Sequence, residues 1–265
     1  MTKKVGRSSS KKSSNAKKSE ANADEVVDRL SIRERPDSLP IMHQNWGKLI
    51  FMHWPIEQEA LRELIPERLT IDTFEGEAWI GITPFTMWGV RPTFTPPVPF
   101  LSELHETNVR TYVHLDGVPG VWFFSLDANS SLAVMGARTL FHLPYYNAEI
   151  ELKETDGVID YTLSRTDEPH AELETSWAIG EPLPEAEPGS LAFFLTERYC
   201  LYAEDSSGRL YRSRIHHAPW PLQEAELISL RSTMIESDGL PTPAGEPLLH
   251  YAEKLAVDIW PIKEV

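Results

Sequence analysis

The chain has 265 residues, 41% of them apolar and 10% aromatic, enough to bury one large core or two small ones packed together. Its formal net charge is −15, and the first 25 residues hold seven of the 25 basic side chains, so the other 240 carry 18 basic against 37 acidic groups. An acidic body of this kind repels phosphate backbones and argues against double-stranded nucleic acid as the main partner.

The single cysteine, Cys200, excludes an intrachain disulfide and a cysteine zinc cluster, and it fits a reducing cytoplasm, which is the expected location. No apolar run approaches the roughly 18 residues that cross a bilayer, so no membrane partner is expected. The polar N-terminus lacks the apolar stretch of a secretory signal. Residues 1–25, rich in Lys and Ser, contain almost no large apolar side chains. They cannot bury enough surface to offset chain entropy and are expected to form a disordered basic tail. Residues 26–265 are expected to form one domain.

Residues 26–45 are transitional, and a first strand runs through "KLIFMHW". In "IEQEALRELIP" the apolar residues Ile56, Ala60, Leu61, Leu64 and Ile65 have helical spacing, and Pro66 ends the run. "DTFEGEAWIGITPF" reads as turn then strand, and the proline-rich "GVRPTFTPPVPFL" as an irregular loop. Three strands are expected next, "ETNVRTYVHL", "GVWFFSLDA" and "ARTLFHLPYYNAEIEL", separated by "DGVPG" and "NSSLAVMG" as turn and loop. "VIDYTLSRT" adds a strand. "LAFFL" suits a short helix and "RYCLYAE" a strand, followed by strands in "SGRLYRSRIHHAPWPL" and "EPLLHYAEKLAVDIWPI". Strands at short spacing favour a mainly β, closed or folded-over architecture with a few short helices.

Alternation in "ETNVRTYV" puts Glu106, Asn108, Arg110 and Tyr112 on one face and Thr107, Val109, Thr111 and Val113 on the other. Two readings follow. Turned outward, the first face is an ordinary solvated sheet face. Turned into a barrel lumen it is a preorganised polar site, where a buried Glu and Arg need each other or a ligand.

These stretches, with "FMHWPIEQEALRELIPERLTIDTFEGEAWIGITPF", "PGSLAFFLTERYCLY" and "IHHAPWPLQEAEL", carry a resemblance. Over about residues 45–260 the chain resembles the YqjF-like family of uncharacterised conserved proteins, domain of unknown function 2071. That family is distantly similar to the acetoacetate decarboxylase superfamily. The resemblance implies an antiparallel, cone-like β-barrel with a central cavity. It also implies a cavity-facing glutamate, matched by Glu106, and a lysine pair, of which the first forms a Schiff base. "GARTLFHLPYY" lines up with the lysine segment: Gly136 and Arg138 at its start, Pro144 before the pair, and Tyr145 and Tyr146 in place of the lysines. A phenol cannot form an imine, so Schiff-base chemistry is not expected from these positions. Outside the tail only Lys48, Lys153, Lys254 and Lys263 remain, and Lys48 alone precedes a strand expected to be buried.

By this analogy the protein is expected to bind a small carbonyl or carboxylate compound, with lysine-independent acid/base chemistry as one outcome. Glu106, Tyr145 and Tyr146 are the catalytic candidates, and Asn108, Arg110, Tyr112 and Arg138 the substrate-binding ones. Arg138 could instead pair with Glu106, and the tyrosines could simply pack, with at most one of them pointing inward. The alternative is a non-catalytic sensor or interaction module that kept the barrel and lost the chemistry. No cofactor or metal is expected, because His53, His216 and His217 show no metal-ligand spacing and Cys200 lies in an apolar setting. Hydrolase, kinase and dehydrogenase fingerprints are also missing.

Overall fold

The computed structural model describes residues 1–2, 27–97 and 103–265; the expected basic tail beyond its first two residues and the end of the proline-rich loop fall outside them. The first strands are β1 (Met42–Ile56), β2 (Thr70–Ile71), β3 (Ala78–Pro92), β4 (Glu103–Leu115) and β5 (Val118–Ala128), with the short helix α1 (Gln58–Arg62) after β1. Helix α2 (Ser131–Phe141) leads into β6 (Tyr145–Thr155), β7 (Val158–Arg165) and β8 (Glu172–Pro182). Helix α3 (Leu191–Thr196) precedes β9 (Cys200–Glu204), β10 (Leu210–His216) and β11 (Leu222–Ser232). Helix α4 (Met234–Ser237), β12 (Leu248–Ile259) and β13 (Lys263–Glu264) complete the fold.

The strands join into one sheet that folds back on itself. Hydrogen-bonded neighbours run β5–β9–β10–β12–β1–β3–β4 and return to β5. A second circuit leaves β5 through β6, β7, β8 and β11 and rejoins the first at β12. Strands β12, β1, β3, β4 and β5 are therefore a wall between two interiors. Pairing is antiparallel except where β5 meets β6 and β9, which run parallel to it. Two-residue Asp-Gly turns close the β4–β5 and β6–β7 hairpins. Asp116 and Gly117 have φ of 51° and 73°, and Asp156 and Gly157 have 50° and 79°, the left-handed pair that such hairpins require.

Because β4 lies in the shared wall, both of its faces are covered. On one side Val109 and Val113 join a core with Tyr161, Leu163 and Trp177. On the other, Leu104 joins Leu49, Phe85 and Met87, and Tyr112 joins Phe194 and Leu195. The question of which face is buried resolves to both.

One expected element is corrected. "NSSLAVMGARTLF", read as a loop followed by a strand, is helix α2. The Ser130 hydroxyl accepts from the Ala133 amide at its start, and His142 ends it in the left-handed conformation. Only Val134 and Phe141 of this helix are buried, so its apolar period is faint, and Gly136 weakens it further. Strands β8 and β11 pair with each other and were not anticipated.

Candidate active site

The even-numbered face of β4 lines a cavity of about 290 Å³. Cross-strand register fixes its first rungs. Asn108 lies opposite Thr83 of β3, Glu106 opposite Phe85, and Leu104 opposite Met87. A bulge between Val109 and Arg110 sets Arg110 beside Phe123 of β5. Arg198 follows α3, Trp220 lies before β11, and Tyr145 opens β6; all three reach the same space.

The polar atoms here are unevenly matched. Thr83 Oγ1, Asn108 Oδ1, Arg110 Nε, Arg198 Nη2 and Trp220 Nε1 are buried without a hydrogen-bond partner among the described residues. Three of them are N–H donors and a fourth, the Thr83 hydroxyl, can donate, so the lining suits a ligand rich in acceptors. The Arg110 guanidinium lies 5.0 Å from the Phe51 ring centroid, and no carboxylate pairs with it among the described residues. Arg198 is held on one side by Asp72, Nη1 to Oδ2 at 2.7 Å, and stacks over Tyr112 and Phe194.

Glu106 is only 3% exposed. Burial pushes its carboxyl up to about 8. Hydrogen bonds from Tyr145 and Asn108 pull against that shift, and the Asp127 charge adds to it. The Tyr145 hydroxyl donates to Glu106 Oε2 at 2.7 Å, and burial with the Glu106 charge holds the phenol well above its ordinary value. Near neutral pH the pair is therefore a carboxylic acid and a phenol, both protonated. A carboxylic acid kept neutral in this way can donate to a carbonyl oxygen, and once ionised near pH 8 it can accept a proton from carbon.

The structure brings together only part of the expected set. Glu106, Asn108, Arg110 and Tyr145 line the cavity. Tyr146 does not: it faces the other way, with the Arg165 guanidinium 4.1 Å from its ring centroid, as alternation along β6 requires. Arg138 is also excluded. It lies on α2 rather than on a strand, where it donates to the Tyr145 carbonyl at 2.6 Å and pairs with Asp167 at 2.9 Å, not with Glu106. Tyr112 is spent on structure, its hydroxyl donating to the Leu195 carbonyl at 2.7 Å and meeting His53 Nε2 at 2.6 Å. Burial, with Arg110 and His250 nearby, keeps His53 neutral. Lys48 pairs with Glu154 at 2.7 Å, and among the described residues no lysine lines the cavity.

Thr83, Arg198 and Trp220 were missed by the sequence reading. Arg198 left a signal: "TERY" places two charges between the apolar runs "LAFFL" and "CLY". A charge held between buried segments has to find a partner or a ligand. A wider cleft of about 750 Å³ lies outside, and Phe123, Leu143 and Tyr145 border both spaces. Asp238 lines this cleft, and behind it lies the buried Arg165–Asp127 pair.

Comparison with known proteins follows the same lines. The chain is 42% identical to the uncharacterized protein YqjF of Bacillus subtilis (strain 168) over 230 residues, 86% of this chain and 94% of that protein. Its fold is similar to that of the enduracididine biosynthesis enzyme MppR complexed with pyruvate, with a TM-score of 0.61 and 12% identity over 86% of this chain and 91% of that one. It is also similar to acetoacetate decarboxylase from Legionella pneumophila subsp. pneumophila str. Philadelphia 1, with a TM-score of 0.56 and 11% identity over 92% and 98% of the two chains. Identities this low establish a shared acetoacetate decarboxylase-like β fold. Over residues 43–256 the chain matches the DUF2071 family, uncharacterized conserved proteins, and it belongs to that family.

Proposed function

We propose that this protein is a cytoplasmic binder of a small carbonyl-bearing carboxylate, and that it exchanges a proton at the carbon next to the carbonyl without a lysine. The observation that carries the reading is the donor-rich lining. Arg110 without an acid partner, Arg198 Nη2, Trp220 Nε1 and Thr83 Oγ1 all belong to the cavity walls. Arg110 and Arg198 would hold the anion, and the Thr83 and Trp220 donors would meet the carbonyl oxygen. Ionised Glu106 would take a proton from carbon, leaving an enolate, and the neutral acid would return one to the same carbon. Tyr145, already donating to Glu106, would position that carboxyl. The similarity to a protein complexed with pyruvate agrees in ligand class. A non-catalytic sensor is the second reading. It is favoured by Tyr145 and Tyr146 standing where the resemblance places a lysine pair.

Nuclear magnetic resonance in D2O separates the two. Incubation of a 2-oxo acid with wild type is expected to replace its C3 protons with deuterium, with the rate rising through pH 8. Glu106→Gln is expected to bind the acid and lose the exchange. Binding without exchange in wild type would establish the sensor reading, and no binding at all would reject both.

A further inference from the structure

We infer that the ligand carries an apolar arm beside its acid group, and that the arm lies along the rungs that run from Glu106 to Leu104 and under helix α2. This rests on the acid-binding reading above. Polarity changes along the wall. The Asn108–Thr83 rung is wholly polar, the Glu106–Phe85 rung is mixed, and the Leu104–Met87 rung is wholly apolar. Alternate residues on a strand are about 7 Å apart, so the change takes place over the length of a small molecule.

Helix α2 covers the apolar end. Ala128, where β5 meets Glu106, leads through Ser130 into the helix, and Val134 shares a core with Phe85, Met87 and Leu104. Toward the cavity α2 presents the small residues Ala133, Gly136 and Ala137 between the larger Leu132, Leu140 and Phe141. A Cβ added to Gly136 would meet no atom within 4 Å, so there is open space beside it. Leu132 and Leu140 line the same cavity yet are 58% and 67% exposed, which puts apolar side chains at its mouth. An acid with no hydrocarbon would leave this half of the cavity unmatched.

Volume sets the scale. A cavity of about 290 Å³ corresponds to roughly ten water-sized groups at about 30 Å³ each. The six non-hydrogen atoms of pyruvate leave space for about four more. The class is therefore a 2-oxo acid with a short alkyl arm, between 2-oxohexanoate and 2-oxoheptanoate in size.

The test is a titration of the full chain with pyruvate, 2-oxobutanoate, 2-oxohexanoate and 2-oxooctanoate, repeated on Gly136→Leu and Arg110→Met. Each buried methylene is expected to tighten wild-type binding by about fourfold up to 2-oxohexanoate. Gly136→Leu fills the space beside α2 with a better helix former. It is expected to bind pyruvate as wild type does and to lose most of the gain with arm length. Ala137→Leu serves as the second blocking variant if Gly136→Leu melts abnormally. Affinity that stays flat with arm length, in a protein whose pyruvate binding is lost in Arg110→Met, overturns the arm and leaves the acid site standing. A gain with length that neither blocking variant reduces overturns its placement under α2. If no acid binds wild type, the acid-binding reading fails and the arm fails with it.

Discussion

The two faces of β4 and its partner strands use similar residues and end differently. On the odd-numbered side the hydroxyls and charges are matched within the protein, and the buried Trp177 Nε1 is the exception. The hydroxyls of Thr107 and Tyr161 meet at 2.8 Å, Ser125 donates to Asp238 at 2.6 Å, and Arg165 holds Asp127 through two bonds of 2.7 and 2.9 Å. On the even-numbered side Thr83, Asn108 and Arg110 keep buried polar atoms that no group among the described residues meets. Burial is nearly equal on the two sides, so burial does not distinguish them. What distinguishes them is surplus hydrogen-bonding capacity, which the odd-numbered face has largely used and the even-numbered face keeps.

Removing a charge from each side should sharpen this contrast most. Arg165→Met leaves Asp127 and Asp238 facing each other without their cation, and urea unfolding is expected to show a loss of about 3–5 kcal/mol. Arg110→Met removes a cation with no acid partner among the described residues and is expected to change stability by less than about 1 kcal/mol. Comparable losses in the two would mean that Arg110 is paired after all.

The pH dependence of stability comes next. Glu106 ionises near pH 8 when folded and near its ordinary 4.5 when unfolded. Between those values the unfolded chain holds fewer protons, so stability falls as pH rises through the window, by on the order of a few kcal/mol, and levels off outside it. Asp238, raised by burial to about 6, adds a slope of the same sign over a narrower range. Glu106→Gln is expected to flatten the part of the curve above pH 6. An unchanged curve would mean that Glu106 is hydrated and ordinary.

Smaller effects follow. Tyr145→Phe removes the hydrogen bond that lowers the Glu106 value, so the Glu106 midpoint is expected above 8, with about 1 kcal/mol of stability lost in the same melts. Lys48→Met breaks only the half-exposed pair with Glu154. It is expected to cost less than about 0.5 kcal/mol and to leave ligand binding untouched, which a relocated nucleophile at Lys48 would not allow.

Much of the scaffold was legible because its signals are local. The Asp-Gly turns, the alternation in "ETNVRTYV" and the opposed directions of Tyr145 and Tyr146 all follow from backbone geometry within a few residues. Helix α2 was not legible, because "ARTLFHL" runs without a break signal into the strand that follows Pro144 and the helix buries only Val134 and Phe141. That error carried Arg138 with it, since a strand would have aimed its guanidinium along the wall and the helix turns it to Asp167. The two interiors were not legible either. They arise because β5 pairs with β6 and β9 along one edge, and no local pattern reports which distant strands meet. Arg198 and Trp220 come from segments far from β4 in sequence and reach the cavity only through that topology, whereas Thr83 lies on the neighbouring strand β3.

The most direct measurement is the melting temperature of wild type and Arg110→Met against a panel of small 2-oxo acids. A ligand that binds only the folded state raises the midpoint by mass action. At least one acid is expected to raise the midpoint of wild type and to leave that of a normally folded Arg110→Met unchanged. Equal shifts in both proteins, or none in either, would contradict the assignment of the even-numbered face of β4 as an acid-binding site.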